Sequence, residues 1–183
     1  MRNQMKEAIS DAFFELAQKK SIDKITVKDL VEYCDISRQT FYYHFQDIYE
    51  VIEWKSQQIE QDYSRRAQAA DSFEGAIRIM AASFVNHYDL MTKLRDSQMR
   101  DFVERLVMDS MQERLRQAVR ESVSDKPLEI AASEIDALIS FFSYGLAGLM
   151  FSRGRNRKPD EEELTQQILA VFRHLVPGMD SAI

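Results

Sequence analysis

Turn-forming residues are scarce in this sequence. Its 183 residues include five glycines and three prolines, about a third of the average usage of these two residues. A β-sandwich, a β-barrel or a Rossmann fold needs many tight turns. The scarcity therefore argues against those folds and favours an all-α protein with long, rarely broken helices.

Cysteine and long apolar runs are scarce as well. The single cysteine, Cys34, cannot form an internal disulfide, and proteins without disulfides are the rule in the cytosol. The longest apolar run, residues 138–151, is interrupted by two serines and two glycines and is too short for a membrane span. The first residues lack the apolar stretch of a secretory signal. We therefore expect a cytoplasmic protein with no membrane partner.

Sequence patterns of enzymes and metal sites are also missing. The three histidines, His44, His87 and His174, lie far apart, and no His-x-x-x-His or Cys-x-x-Cys spacing occurs. The sequence has no glycine-rich phosphate loop and no nucleophile-elbow motif. We expect a protein that is not an enzyme and has no catalytic residues, metal or cofactor.

Helical periodicity runs through most of the sequence, of which 45% is apolar, and predicts about nine helices. The first is expected over residues 2–19. Three N-cap signals follow closely, at Thr26, Ser37 and Asp47. Short helices followed by long ones indicate two domains, and we place them at residues 1–47 and 48–183.

The segment from Thr26 to Phe45 predicts a helix-turn-helix frame. Residues 36–46 contain no acidic side chain, although the formal net charge of the chain is −6. Arginine, glutamine, threonine, tyrosine and histidine side chains suit contacts with phosphates and base edges. The residues expected to contact DNA are Thr26, Lys28, Ser37, Arg38, Gln39, Thr40, Tyr42, Tyr43 and His44.

This segment resembles the DNA-binding domain of TetR-family transcriptional regulators. The recognition helix of that family opens with serine and continues Thr-aromatic-Tyr-x-His-Phe. The matching residues here are Ser37, Thr40, Phe41, Tyr42, His44 and Phe45. A narrower resemblance, carried by residues 142–149 and by Tyr42–Phe45 with Trp54 downstream, is to the branch of DhaS-like regulators. The resemblance implies a homodimeric repressor that binds a palindromic operator and is released or modulated by a small-molecule or protein effector.

Two positions depart from the family pattern. The turn between the two helices usually contains glycine, but Asp35 stands there. Aspartate tolerates the left-handed conformation better than most residues, so we expect the turn to survive. The family often has a phosphate-binding lysine at the start of the next helix, where this chain has Ile48 beside Asp47 and Glu50. We expect that phosphate contact to be missing.

The resemblance also implies that residues 48–183 bind an effector and form the dimer through the last two helices. The helix around residues 138–151 is apolar nearly all round, so it needs cover on several sides. The expected interface residues are Phe141, Phe142, Leu146, Leu149, Ile168 and Phe172. The expected ligand-binding residues are Trp54, Phe84, His87, Tyr88 and Tyr144. An ordinary packed core would explain the same ligand-binding candidates nearly as well.

Two other functions remain as alternatives. The first is an all-helical ligand-binding or scaffolding protein without DNA binding. The absence of a lysine at Ile48 favours it, and the intact recognition helix opposes it more strongly. The second is a helical-bundle enzyme, which the missing catalytic motifs disfavour.

Overall fold

The computed structural model describes residues 2–123, 132–152 and 157–175, and within these ranges the fold is all helical. The prediction of an all-α fold is confirmed, with eight α-helices and one short 3₁₀ turn in the described ranges. The helices are α1 (Arg2–Lys19), the 3₁₀ turn (Ile22–Lys24), α2 (Val27–Tyr33), α3 (Arg38–His44), α4 (Ile48–Gln68), α5 (Phe73–Arg95), α6 (Arg100–Val123), α7 (Ala132–Ser152) and α8 (Glu161–Leu175).

Side-chain caps fix the starts of α2, α3 and α4, as the sequence predicted. Thr26 and Asp29 form a reciprocal capping box at the start of α2. The Ser37 side chain accepts a hydrogen bond from the Thr40 backbone N–H at the start of α3. The Asp47 carboxylate accepts one from the Glu50 N–H, 2.9 Å away, at the start of α4. Each cap satisfies an N–H that has no partner inside its helix.

The chain divides into two compact units. The first consists of Met1–Asp62 and Asp89–Val103. In it α1, α2 and α3 pack on one another, and Phe13, Leu30 and Phe41 are fully buried. The domain expected over residues 1–47 lies inside this unit. The unit is larger because the start of α4 and the region joining α5 to α6 also pack in it.

The second unit consists of Tyr63–Tyr88 and Glu104–Ile183. Its core is formed by buried side chains of α5, α7 and α8. The buried members of this core are Ile77, Ala81, Phe84 and Tyr88 from α5, Leu146 from α7, and Leu164, Ile168 and Leu169 from α8. This unit therefore has an apolar core of its own. None of the helices in the described ranges is long and apolar enough to cross a membrane.

Candidate nucleic-acid interface

The turn between α2 and α3 is closed by a Schellman motif. The Ile36 N–H donates to the Val31 carbonyl at 3.0 Å, and the Asp35 N–H donates to the Glu32 carbonyl at 3.4 Å. This geometry places Asp35 in the left-handed region, with φ of 51°. The sequence-based prediction for this position is confirmed. The turn keeps its usual geometry with aspartate in place of glycine.

Replacing Asp35 by glycine should leave the free energy of unfolding unchanged or raise it slightly. Glycine adopts positive φ without a steric cost. Replacing Asp35 by valine should lower it by about 1–2 kcal/mol, because a β-branched side chain is poorly tolerated at positive φ. Urea unfolding of the two variants and of Asp35→Asn checks this. Equal stability of the glycine and valine variants would contradict the role assigned to this turn.

Helix α3 separates its buried and exposed side chains sharply. Phe41 is fully buried and Phe45 is 1% exposed, and their ring centroids lie 6.1 Å apart. These two rings anchor the helix in the first unit. The opposite face is open, with Tyr42 and Tyr43 exposed to 58% and 70%. The exposed side chains of the helix are Arg38, Gln39, Tyr42 and Tyr43.

Of the other predicted contacts near α3, Ser37 is exposed at the N-cap, and Thr40 and His44 are half-buried. The Ser37 Oγ lies 2.9 Å from the Thr40 hydroxyl and accepts from the Thr40 N–H at 3.0 Å. Both hydroxyls therefore already serve the cap. His44 is half-buried, and its ring stands edge-on to Tyr43 with centroids 5.0 Å apart. The four exposed side chains of α3 are thus more accessible than Thr40 and His44.

At the start of α2 the Thr26 hydroxyl is occupied by the capping box. It donates to the Asp29 carboxylate at 2.7 Å and accepts from the Asp29 N–H at 3.3 Å. The Lys20 ammonium also lies 2.7 Å from this carboxylate. Hydrogen bonds from Lys20 and then from Thr26 lower the pKa of Asp29 from 3.8 to about 2, so the carboxylate is ionised at neutral pH. The hydroxyl has one proton, and Asp29 already accepts it.

Lys28 remains available beside this cap. Its ammonium lies 3.6 Å from the Glu32 carboxylate, and both side chains are about two-thirds exposed, at 66% and 65%. An exposed pair of this kind contributes about 0–1 kcal/mol. A phosphate can therefore compete for Lys28 at small cost.

Asp47 and Glu50 lie at the start of α4. This is the place where the sequence led us to expect no phosphate-binding lysine. Ile48 is half-buried, and the Glu50 carboxylate accepts from the Gln46 N–H at 2.6 Å. A cation is nevertheless present, because the Lys6 ammonium lies 3.9 Å from Glu50 and 4.8 Å from the centre of the Phe45 ring. Lys6 partly neutralises this acidic helix start. Sequence reasoning missed Lys6, since it lies on α1.

Residues 9–53 match the sequence model of the bacterial regulatory proteins of the tetR family. These residues therefore carry the N-terminal domain of that family. The match contains the whole helix-turn-helix described above, so the resemblance predicted from Thr26–Phe45 is confirmed. In this family the two short capped helices form the DNA-binding part of a transcriptional regulator.

Two solved structures share the fold of this chain. A protein assigned to the TetR-family transcriptional regulators, from Syntrophomonas wolfei, superposes with a TM-score of 0.73 at 13% identity, over 98% of each chain. The dihydroxyacetone kinase operon activator DhaS superposes with a TM-score of 0.68 at 17% identity, over 91% of this chain and 92% of its own. At such low identity these likenesses show the fold alone. No curated protein matches the chain in a direct sequence comparison.

The predicted ligand-binding residues fall in different environments. Trp54 belongs to the first unit, where its ring meets Phe45 with centroids 6.2 Å apart. Phe84 and Tyr88 are buried together in the core of the second unit, 5.8 Å apart. His87 is half-buried, and its Nδ1 lies 2.9 Å from the Ser83 carbonyl. Tyr144 is 67% exposed. Phe84, His87 and Tyr88 thus remain a group on α5.

The predicted dimer residues also divide into two kinds. Leu146 and Ile168 are 4% and 0% exposed in the core of their own chain, and Phe142 packs against that core. Phe141 points outward and is 65% exposed. The side chains of Leu149 and Phe172 lie outside the described residues. Of the described candidates, Phe141 therefore offers the most apolar surface to a partner.

Phe141 belongs to a larger exposed apolar face on α7, which sequence reasoning did not identify. Its members recur at spacings of three and four residues, which places them on one side of the helix. An added Cβ at either glycine of this face would meet nothing within 4 Å. The residues of the α7 face are Ala137, Leu138, Phe141, Tyr144, Gly145 and Gly148.

Proposed function

We propose that this TetR-family chain is a homodimeric repressor that binds a palindromic operator and is modulated by an effector, and that it is not an enzyme. The proposal depends mainly on the exposed face of α3. Arg38, Gln39, Tyr42 and Tyr43 are open to solvent on a helix that the buried Phe41 and the Ser37 cap hold in place. Such a helix fits the major groove of a DNA duplex.

Charge supports a strictly local DNA contact. The chain has a formal net charge of −6, so its average field repels DNA. The acid-free segment 36–46 and Lys28 must then supply the attraction. Binding should weaken steeply as salt is added, because each phosphate contact releases counterions. Two copies of α3 in a dimer would read half-sites about 34–36 Å apart, or further apart if the subunits splay.

Two variants on the open face separate base reading from phosphate contact. Gln39→Ala should change the sequence preference, because a glutamine amide can bond an adenine edge through two hydrogen bonds. Tyr42→Phe should weaken binding to all sequences alike, by about 0.5–1.5 kcal/mol for one hydrogen bond. The measurement is the affinity of both variants for an operator selected from random duplexes and for its scrambled version.

The outcomes distinguish the proposed function from its alternative. If the wild-type chain retains no duplex at low salt, it is an all-helical ligand-binding or scaffolding protein without DNA binding. If the wild type binds but neither variant changes either affinity, α3 is not the reading helix. Phe14, on the half-buried side of α1, provides a control: Phe14→Leu should leave both affinities as they are.

The sign of regulation and the effector complete the proposal. A dimer seated on an operator that overlaps a promoter represses by excluding the polymerase. The fold neighbour DhaS is described as an activator, so a reporter gene placed behind the selected operator decides the sign for this chain. Phe84, His87 and Tyr88 are the residues proposed for the effector, since α5 buries Phe84 and Tyr88 in the core and carries a half-buried His87, whose ring centroid lies 6.1 Å from that of Tyr63.

A further inference from the structure

Two acidic side chains cap the corner between α3 and α4, which we define as residues 45–50. The Glu50 Oε2 accepts a hydrogen bond from the Gln46 backbone N–H at 2.6 Å, and the Asp47 Oδ1 accepts one from the Glu50 N–H at 2.9 Å. Phe45, the C-cap of α3, is 1% exposed. The α3–α4 corner therefore joins a buried anchor of α3 to the first turn of α4.

Lys6, on α1, brings a cation to this corner. Its ammonium lies 3.9 Å from the Glu50 Oε1, the carboxylate oxygen that does not accept from Gln46. It also lies 4.8 Å from the centre of the Phe45 ring, within the range of a cation–π contact. The Lys6 side chain is 17% exposed and that of Glu50 is 37% exposed, so the pair is partly shielded from solvent. A carboxylate held through both of its oxygens keeps one orientation.

Helix α3 depends on such external contacts for its direction. With seven residues it spans about 10 Å and is too short to be stable without packing. At its C-terminal end the chain becomes extended at Phe45, with φ of −142° and ψ of 141°, and the next N–H is the one that Glu50 holds. Hydrogen bonds to DNA form only within a distance range of about 0.5 Å. The exposed Tyr42 and Tyr43 therefore need a fixed end of α3 to make such contacts.

We propose that Lys6 is a positioning residue for operator binding. It holds the Glu50 carboxylate on the Gln46 N–H and thereby fixes the exposed C-terminal half of α3. All of these residues belong to the first unit, so this role involves no movement of the second unit. The inference rests on the proposed operator binding. It adds a residue of α1 that acts on DNA recognition without contacting DNA.

The test is a double-mutant cycle on the operator affinity of the full chain. Lys6→Met removes the ammonium and keeps an aliphatic stem over the Phe45 ring, and it should weaken operator binding about fivefold, the loss expected for one ion pair. In a Glu50→Gln background the carboxylate is gone, so the same Lys6→Met change should lower the affinity by about twofold or less. Lys6→Arg retains a cation and should keep most of the wild-type affinity. A loss as large as that of the methionine variant would show that the cation is not what acts here.

Two further measurements separate positioning from charge. A misplaced α3 reads base edges poorly, so Lys6→Met should weaken binding to the selected operator more than binding to its scrambled version. Lys55→Met is the matched control, because Lys55 on α4 pairs with Asp11 on α1 at 2.7 Å and its side chain is 20% exposed. This variant removes the same charge from a comparable ion pair that lies beyond the α3–α4 corner. It should bind the operator as the wild type does, within about twofold.

Four further results would overturn this role of Lys6, and each differs from failure of the proposed function. Unchanged operator affinity in Lys6→Met, measured where melting curves show the variant folded, would limit Lys6 to a contribution to stability. An equal loss in the wild-type and Glu50→Gln backgrounds, or an equal loss on operator and scrambled duplex, would make Lys6 a charge that attracts DNA directly. An equal loss in Lys55→Met would indicate a general effect of removing an ion pair. Failure of the wild type itself to bind any duplex would instead refute the proposed function.

Discussion

Phe141→Glu should convert the proposed dimer into folded monomers. Phe141 is 65% exposed in the protomer, so glutamate costs the isolated chain little. In a dimer that buries the α7 face, twofold symmetry places the new negative charge of each protomer in the interface. An uncompensated buried charge costs about 3–5 kcal/mol, which raises the dissociation constant more than about a hundredfold.

Sedimentation at micromolar concentration checks this expectation. Phe141→Leu is the matched control, because it keeps an apolar side chain at the same place and should remain dimeric. Helical circular dichroism should be unchanged in both variants. A Phe141→Glu protein that still sediments as a dimer would show that the two copies meet elsewhere.

Substitution of a glycine of the α7 face tests the same interface independently. An added Cβ at Gly145 or Gly148 meets nothing within 4 Å in the protomer, and alanine stabilises a helix by about 1 kcal/mol relative to glycine. Gly148→Leu should therefore leave the protomer folded. It should still weaken the dimer if the two α7 helices approach closely there. Retention of the dimer by this variant would mean that the helices cross away from Gly148.

Local signals made the helix-turn-helix predictable. Caps and a left-handed turn depend on residues within four positions of one another, so Thr26, Ser37, Asp35 and Asp47 each specify their own backbone. The same locality explains why the bounds of α1 and α3 followed from the sequence. The turn and the helix starts of the candidate site could therefore be predicted from the sequence.

Long-range contacts and the faces of α7 were not predictable in this way. Lys93 reaches the carbonyl of a residue 75 positions earlier, and a side chain that bonds a backbone oxygen leaves no pattern in the partner's residue type. Helix α7 is apolar on nearly every side, so its periodicity does not say which side meets its own core. The coordinates place Leu146 inward and Tyr144 outward, a distinction that the sequence does not contain.

Phe41→Ala should melt the DNA-binding domain while the second unit stays folded. Phe41 is fully buried, and α3, with seven residues, is too short to be stable without packing. Removing a buried phenylalanine costs about 3–5 kcal/mol, a large part of the roughly 5–15 kcal/mol that stabilise a domain. The core around Phe84 and Ile168 lies in the other unit and loses no contact.

Amide hydrogen exchange resolves the two units of the Phe41→Ala variant. Protection should fall across residues 27–52 and persist across residues 77–88 and 161–171, operator binding should vanish, and sedimentation should still show the dimer. Tyr42→Phe is the adjacent control, because Tyr42 is 58% exposed and its ring stays in place. Loss of protection in both units together would mean that they unfold as one cooperative body.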